Sequence, residues 1–291
     1  MYKPEGLRTG DFTLDDAHLE TRCPLDNGRH HSTESRHSVG QLDVLPLEII
    51  TEILLALDLP TLTTFRRVNR RAMSLVNSLY QYSMVVKQCP NVLRAILSLN
   101  ADSFDCRTLY ETLSEEKCET CNQFGSYLYL ITCKRVCYIC FTSEVDYRPY
   151  SAASAAKTTG ISRKALPKRL PCVYSLPGIY TPSAKFKKRR SLLFDRRAVR
   201  DKAKPDDPWA HHIGGVKLPL EDYPALYVSI ISAPYLSSSG QSADWGVYCD
   251  ACRRSGQPET HFRNKYTKDG FLDHCERYGP VTMVNERAQH G

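Results

Sequence analysis

The sequence has no run of about 18 apolar residues, the length a membrane-spanning helix needs. Its start, MYKPEGLRTGDF, lacks the apolar stretch of a secretory leader. It contains no G-x-S-x-G, no H-E-x-x-H and no phosphate-cradling glycine loop. These absences argue against a membrane-spanning or secreted protein. They also argue against the commonest hydrolase, metalloprotease and nucleotide-binding chemistries. The expectation is a non-catalytic protein of a reducing compartment, cytoplasmic and/or nuclear. Disulfides are rare there, so the 12 cysteines point to metal rather than to cross-links.

A chain of 291 residues with 42% apolar content suffices for one or two domains. The net charge of +7 is unevenly placed. Residues 160–204 hold 14 Lys or Arg against Asp195 and Asp201, so the rest of the chain sums to −5. One segment, not the whole surface, carries the basic character.

The stretch Leu42 to Tyr82 has helical periodicity, with Leu45, Ile49, Ile50, Ile53, Leu54 and Leu57 on one face. Pro46 suits a first helical turn, where its missing N–H would be unbonded anyway. Pro60 opens a second helix whose apolar side is Leu62, Phe65 and Val68. A third turns Ala72, Leu75, Val76 and Leu79 inward. Short links predict a three-helix unit. Forty residues bury too little to stand alone, so a partner or the rest of the chain must support it. An ordinary helical hairpin packed on its own domain would show the same periodicity.

The string Leu45-Pro46-x-Glu48-Ile49, then Ile53-Leu54, Leu57, Leu62 and Val68, resembles an F-box. F-boxes bind the Skp adaptor of cullin–RING ubiquitin ligases. The resemblance implies that Leu45, Pro46, Ile49, Ile53, Leu57, Leu62 and Val68 face that adaptor. Many F-boxes carry a Trp in the third helix, where this chain has Ala72 and Met73. Further helices are expected from Pro90, with Val92, Leu93, Ile96 and Leu97 on one side, and from Asp105 to Leu113.

Cys118-x2-Cys121 and Cys137-x2-Cys140 are separated by fifteen residues. Each pair can form a tight turn aiming two thiolates at one point, and two such turns complete a tetrahedral zinc site. Four thiolates leave no position for water, so this zinc would be structural. Buried, unliganded cysteines are the bland alternative. Tyr127 to Ile131 reads as a strand, making a hairpin between the pairs. Cys133 is a fifth nearby thiol. Cys249-x2-Cys252, with His274 on a downstream helix closed by Gly279-Pro280, suggests a second zinc site. Its fourth ligand is open among Cys275, His261 and Cys133. His274 and Cys275 point about 100° apart on a helix and should not share an ion.

Elsewhere the sequence says less. Residues 1–40 are polar and aperiodic, and Cys23, His30, His31 and His37 fit no common site. From Arg148 to Tyr180 four prolines predict an extended loop. Lys185 to Lys204 is an import signal, a phosphate-binding patch or a solvated helix with Leu192, Leu193 and Val199 inward. LYVSII, Leu226 to Ile231, is the best strand of the C-terminal half.

Both Cys regions, with Leu176-Pro177-Gly178-x-Tyr180, Ala233-Pro234, Trp245-Gly246 and Phe271-x2-His274, resemble a group of fungal F-box proteins with a cysteine-rich C-terminal region. That group implies Cys four residues after the His, where this chain has Tyr278. The expected fold is α+β: a three-helix F-box with a helical extension, then a zinc-stapled module of short strands and long loops. The expected organisation is a disordered tail (1–40), F-box (41–86), helical connector (87–115), cysteine-rich region (116–280) and flexible tail (281–291). The resemblance implies a ligase subunit that docks a Skp–cullin complex and presents an unknown protein substrate. Two other readings stand beside it: a zinc-dependent nucleic-acid-binding protein using 185–204, and an enzyme in which Cys249, Cys252 and His274 leave a metal position open for water.

Overall fold

Short polar side chains cap three helices of the N-terminal half, at Asp58, Asn69 and Asp105. In the computed structural model, which describes residues 13–14, 19–25, 37–180, 188–204, 224–237, 242–284 and 287–291, a four-residue helix α1 (Leu19–Arg22) precedes a short 3-10 helix (Gly40–Val44). Then come α2 (Leu47–Leu55), α3 (Leu59–Arg66) and α4 (Arg70–Ser78). The Asp58 carboxylate accepts from the Thr61 N–H at 2.8 Å, and the Asn69 side chain accepts from the Ala72 N–H at 2.8 Å. Such caps satisfy amide donors that have no partner inside the helix. Then follow α5 (Tyr80–Gln88), α6 (Pro90–Leu99) and α7 (Cys106–Ser114). Pro90 opens α6, and Asn100 closes it in a left-handed conformation at φ 52°. The three-helix expectation matches α2–α4, and α6 and α7 match the expected extension.

The second half is built from short strands. β1 (Tyr127–Tyr129) pairs antiparallel with β2 (Lys134–Val136), Leu128 opposite Arg135. The short helix α8 (Tyr138–Ser143) follows. A second small sheet has order β3-β5-β4: β3 (Tyr150–Ser151), β4 (Cys172–Tyr174) and β5 (Leu192–Phe194). Helices α9 (Ala152–Thr159) and α10 (Arg196–Asp201) flank it. After α11 (Pro224–Val228), β6 (Ile230–Ser232) adds to β1, completing the order β2-β1-β6. The remainder comprises β7 (Tyr235–Leu236), β8 (Ala243–Asp244), β9 (Val247–Tyr248), α12 (Asp250–Arg254), α13 (Glu259–Phe262), β10 (Lys265–Tyr266), α14 (Lys268–Tyr278), β11 (Val281–Val284) and β12 (Arg287–His290). Among the described residues no helix is long and apolar enough to cross a membrane.

Several expectations are corrected. The stretch 148–180 is not one extended loop. Ser151 caps α9, whose C-terminus ends at Gly160 with φ 71°. Leu226 to Val228 are helical, because Pro224 starts a helix, and only Ile230 onward is strand. The basic stretch is not one helix. Lys185 to Lys187 lie outside the described residues, and the rest splits into β5 and α10, with Leu193, Phe194 and Val199 buried. Residues 281–284 and 287–290 form a hairpin rather than a flexible tail. In the N-terminal stretch Leu14 and Leu19 are buried, whereas His30 and His31 lie outside the described residues.

One large apolar cluster runs from Leu14 and Leu19 through α2–α7 into β1, β2, α8, β6 and β7. The F-box-like helices therefore share a core with the first Cys hairpin. Two satellites stand apart: Ala155, Leu166, Leu170, Cys172, Phe194 and Val199, and the much smaller Cys249, Ala251, Cys252 and Ala288.

Arg135, 2% exposed, holds the junction. Its guanidinium donates to the carbonyls of Thr112 (3.0 Å), Leu113 (3.2 Å), Pro234 (2.6 Å) and Gly125. Thr112 and Leu113 sit in the last turn of α7, where carbonyls lack helical partners. Burial brings the guanidinium down to about 10. A Cβ at residue 125 would overlap the Arg135 Cγ, so glycine there permits the approach. Arg135→Met leaves these buried carbonyls short of donors. It should lower the unfolding free energy by about 3 kcal/mol, read from the shift in chemical-denaturation midpoint. An unchanged midpoint would contradict the role given to Arg135.

Candidate metal centres

The first cluster is set by two local turns. The Cys118 N–H donates to the Gln123 carbonyl at 2.7 Å, and the Asn122 N–H donates back to the Cys118 carbonyl at 3.0 Å. Asn122 turns the chain with φ 59°. Across the hairpin, Cys137 caps α8, its sulfur accepting from the Cys140 N–H at 3.4 Å. These turns bring the four Sγ atoms of Cys118, Cys121, Cys137 and Cys140 within 4.8 Å of one another, with Cys121–Cys137 at 3.6 Å. Cys121 is exposed and the other three are buried. A tetrahedral four-thiolate set suits zinc or an iron–sulfur centre. Cys133 stays outside it: the residue turns the hairpin at φ 53°, and its sulfur faces Thr112 Oγ1 at 3.7 Å.

In the second cluster Cys249 and Cys252 meet His274 and His290, again with all donor atoms within 4.8 Å. His274 Nε2 lies 3.4 Å from Cys252 Sγ. His290 Nε2 lies 3.2 Å from Cys249 Sγ and 3.1 Å from Cys252 Sγ. His290 Nδ1 is 2.7 Å from the Gly279 carbonyl, so it carries the proton and leaves the Nε2 lone pair for a metal. His274 is buried among Tyr266, Phe271 and Tyr278, with ring centroids at 4.7, 5.9 and 4.8 Å. Cys275 falls outside the group, as the helical angle predicts.

Sequence reasoning left the fourth place to Cys275, His261 or Cys133. The structure brings His290 there instead, with His261 Nε2 adjoining at 3.1 Å from Cys252 Sγ. His290 was missed because it lies in a stretch read as tail. The alternation Val281-Thr-Met-Val was the signal available for a strand.

The donor chemistry fits a metal. Among the described residues the satellite core here is Cys249, Ala251, Cys252 and Ala288, with Phe262, Phe271 and Val281 partly buried against it. That is too little apolar burial to fix a hairpin and three helices without another staple. Burial raises the Cys140 and Cys252 thiols to about 12. The Cys118–Cys137 pair splits, with Cys118 brought down to about 4 by its Cys137 hydrogen bond and Cys137 pushed up by the same contact.

Further residues tie the clusters to the fold. Lys265 Nζ sits over the Tyr127 and Tyr248 rings at 5.9 and 5.2 Å. Phe124 packs at Gly246, whose φ of 68° favours glycine. From the basic segment, Arg197 pairs with Asp146 (2.8 Å) and Glu119 (3.0 Å), and Arg200 with Asp146 (2.9 Å). Arg190 donates to the Ser98 and Ser175 carbonyls.

Of the expected docking residues, Leu45, Pro46, Ile49, Ile53 and Val68 are exposed, and Leu57 is half-buried. Leu62 is 0% exposed and belongs to the core, so it presents no surface to a partner. Val68, 67% exposed, lies past the end of α3 rather than on its inner face. A family profile for the F-box domain matches residues 42–84, so the chain contains an F-box domain. No curated protein and no solved structure matches the chain.

Because Cys140 and Cys252 carry protons at neutral pH without metal, a metal must displace them. The sign follows: apparent zinc affinity rises with pH between 6 and 8. Competitive zinc titrations at the two pH values check it, and a pH-independent affinity would contradict thiolate ligation.

Proposed function

We propose that this chain is a non-catalytic substrate-receptor subunit of a Skp–cullin–RING ubiquitin ligase. The F-box docks the Skp-family adaptor, and the cysteine-rich region, stapled by zinc at both clusters, presents an unidentified protein target. The observation that carries the reading is an apolar strip within the matched F-box. Val44, Leu45, Leu47, Ile49, Ile53 and Val68 are all large, apolar and exposed. Ile49 and Ile53 lie four residues apart on the outer side of α2, which Ile50, Leu54 and Leu55 bury from behind, and Leu45 stands exposed in extended backbone just before that helix. Clustered exposure of this kind marks an interaction surface. We assign the adaptor contact to Leu45, Pro46, Ile49, Ile53, Leu57 and Val68.

The likeness to cysteine-rich fungal F-box proteins supports the same reading, as does the donor chemistry at Cys118, Cys121, Cys137 and Cys140 for a structural zinc. Such a protein acts in the cytoplasm, the nucleus or both. The nucleic-acid alternative draws less support, because Arg190, Arg197 and Arg200 are engaged by carbonyls and carboxylates of this chain.

Leu45→Ala with Ile53→Ala should weaken adaptor binding about 30- to 1000-fold, the effect of losing two central apolar contacts. Zinc content should stay unchanged, since both side chains are exposed. Binding by calorimetry beside metal analysis reads both. Wild-type affinity in the double variant would refute the docking face.

A further inference from the structure

A fifth donor adjoins the four that form the second cluster. Cys249, Cys252, His274 and His290 form the compact set, and His261 Nε2 stands 3.1 Å from Cys252 Sγ, as near as His290 Nε2 at 3.1 Å. Both histidines follow Cys252 in sequence: His261 on α13, nine residues on, and His290 on the last strand, 38 residues on. The Tyr278 ring lies 5.0 Å from that of His261 and 6.1 Å from that of His290.

We propose that His261 and His290 are alternative fourth ligands of one zinc ion, exchanging as the C-terminal hairpin docks and leaves. The proposal rests on the zinc reading of this cluster. In the exchange the His261 Nε2 lone pair takes the position that the His290 Nε2 lone pair vacates. One nitrogen donor replaces another, a ligand substitution in which no electron is transferred.

The hairpin rests on α12 through β12, where Ala288 packs against Cys249, Ala251 and Cys252. Among the described residues of β11 and β12 only Ala288 is buried, while Met283 and Val284 are exposed at 68% and 46%. Its register is internal, Val281 opposite His290 through Val284 opposite Arg287, so it can move as a unit without unpairing. Its polar anchors to the rest of the chain gather at its base, where His290 meets the cluster and the Gly279 carbonyl. An ion held by Cys249, Cys252 and His274 alone would open to water when His290 left. His261 closes that position and keeps the site structural. The released hairpin would then offer Met283 and Val284 on a mobile arm while α12 and α14 stay stapled.

The test uses the full-length chain bound to its adaptor, with zinc counted by metal analysis and hairpin amides followed by hydrogen exchange. The wild type should carry two ions. His290→Ala should still carry two, with one released to a chelator about 10- to 100-fold faster, the scale on which groups around a metal act. Its hairpin amides should lose protection while those of α12 and α14 keep theirs. His261→Ala should carry two with a docked hairpin, and the double variant only one. One ion in His290→Ala, one in His261→Ala, or two in the double variant would each overturn the exchange. One ion in the wild type would show that the second site itself fails, and the exchange with it.

Discussion

The Arg135 guanidinium is the constraint on which the two halves of this protein depend. A buried cation without a carboxylate costs several kcal/mol unless polar groups replace its water. Here four carbonyls do so, from Thr112, Leu113, Gly125 and Pro234. Two of them close α7, whose C-terminal end already favours positive charge. The other two belong to the hairpin entry and to the turn after β6. A single side chain thus satisfies acceptors from three segments far apart in sequence. The glycine at 125 exists to admit it.

Around that junction, apolar burial falls off along the chain. Among the described residues the main cluster spans the F-box helices and the first hairpin, the first satellite has six buried residues, and the second has four, two of them cysteines. The first Cys cluster lies at the main core, which includes Cys118, Cys137 and Cys140, whereas the second lies at the smallest satellite. Either could hold a metal ion, and at the second such an ion would supplement a small core. Metal–ligand bonds form only in the folded state, so their free energy is folding free energy, on the order of 10 kcal/mol in small zinc peptides. Such a chain can be long, loop-rich and polar at its C-terminal end and still present a fixed surface.

The sequence made legible what local chemistry decides. Helices α2 to α4 followed from periodicity, and the two C-x2-C pairs announced turns that gather thiols. The misses have physical causes. Leu62 and Val68 were assigned to the adaptor by resemblance, but Leu62 lies on the inner side of α3, and α3 stops at Arg66, which leaves Val68 in solvent. α9 hid in a proline-rich neighbourhood, although Ser151 and Gly160 mark its ends. Arg135 and His290 act at long range. Arg135 reaches Pro234 across 99 positions and His290 reaches Cys252 across 38, and no spacing rule covers either. The shared core of F-box and hairpin was invisible for the same reason, since periodicity says which face is buried and not against what.

The central claim is that the F-box helices and the first Cys hairpin form one cooperative unit. Native-state hydrogen exchange of the metal-loaded protein in rising denaturant measures this directly. The account predicts that amides of α4, such as Val76, and of β1 and its turn, such as Leu128 and Leu130, merge into a single opening with one free energy and one denaturant slope. Two separate openings, with the α4 amides exposed while β1 stays protected or the reverse, would show two independently folding bodies and contradict it.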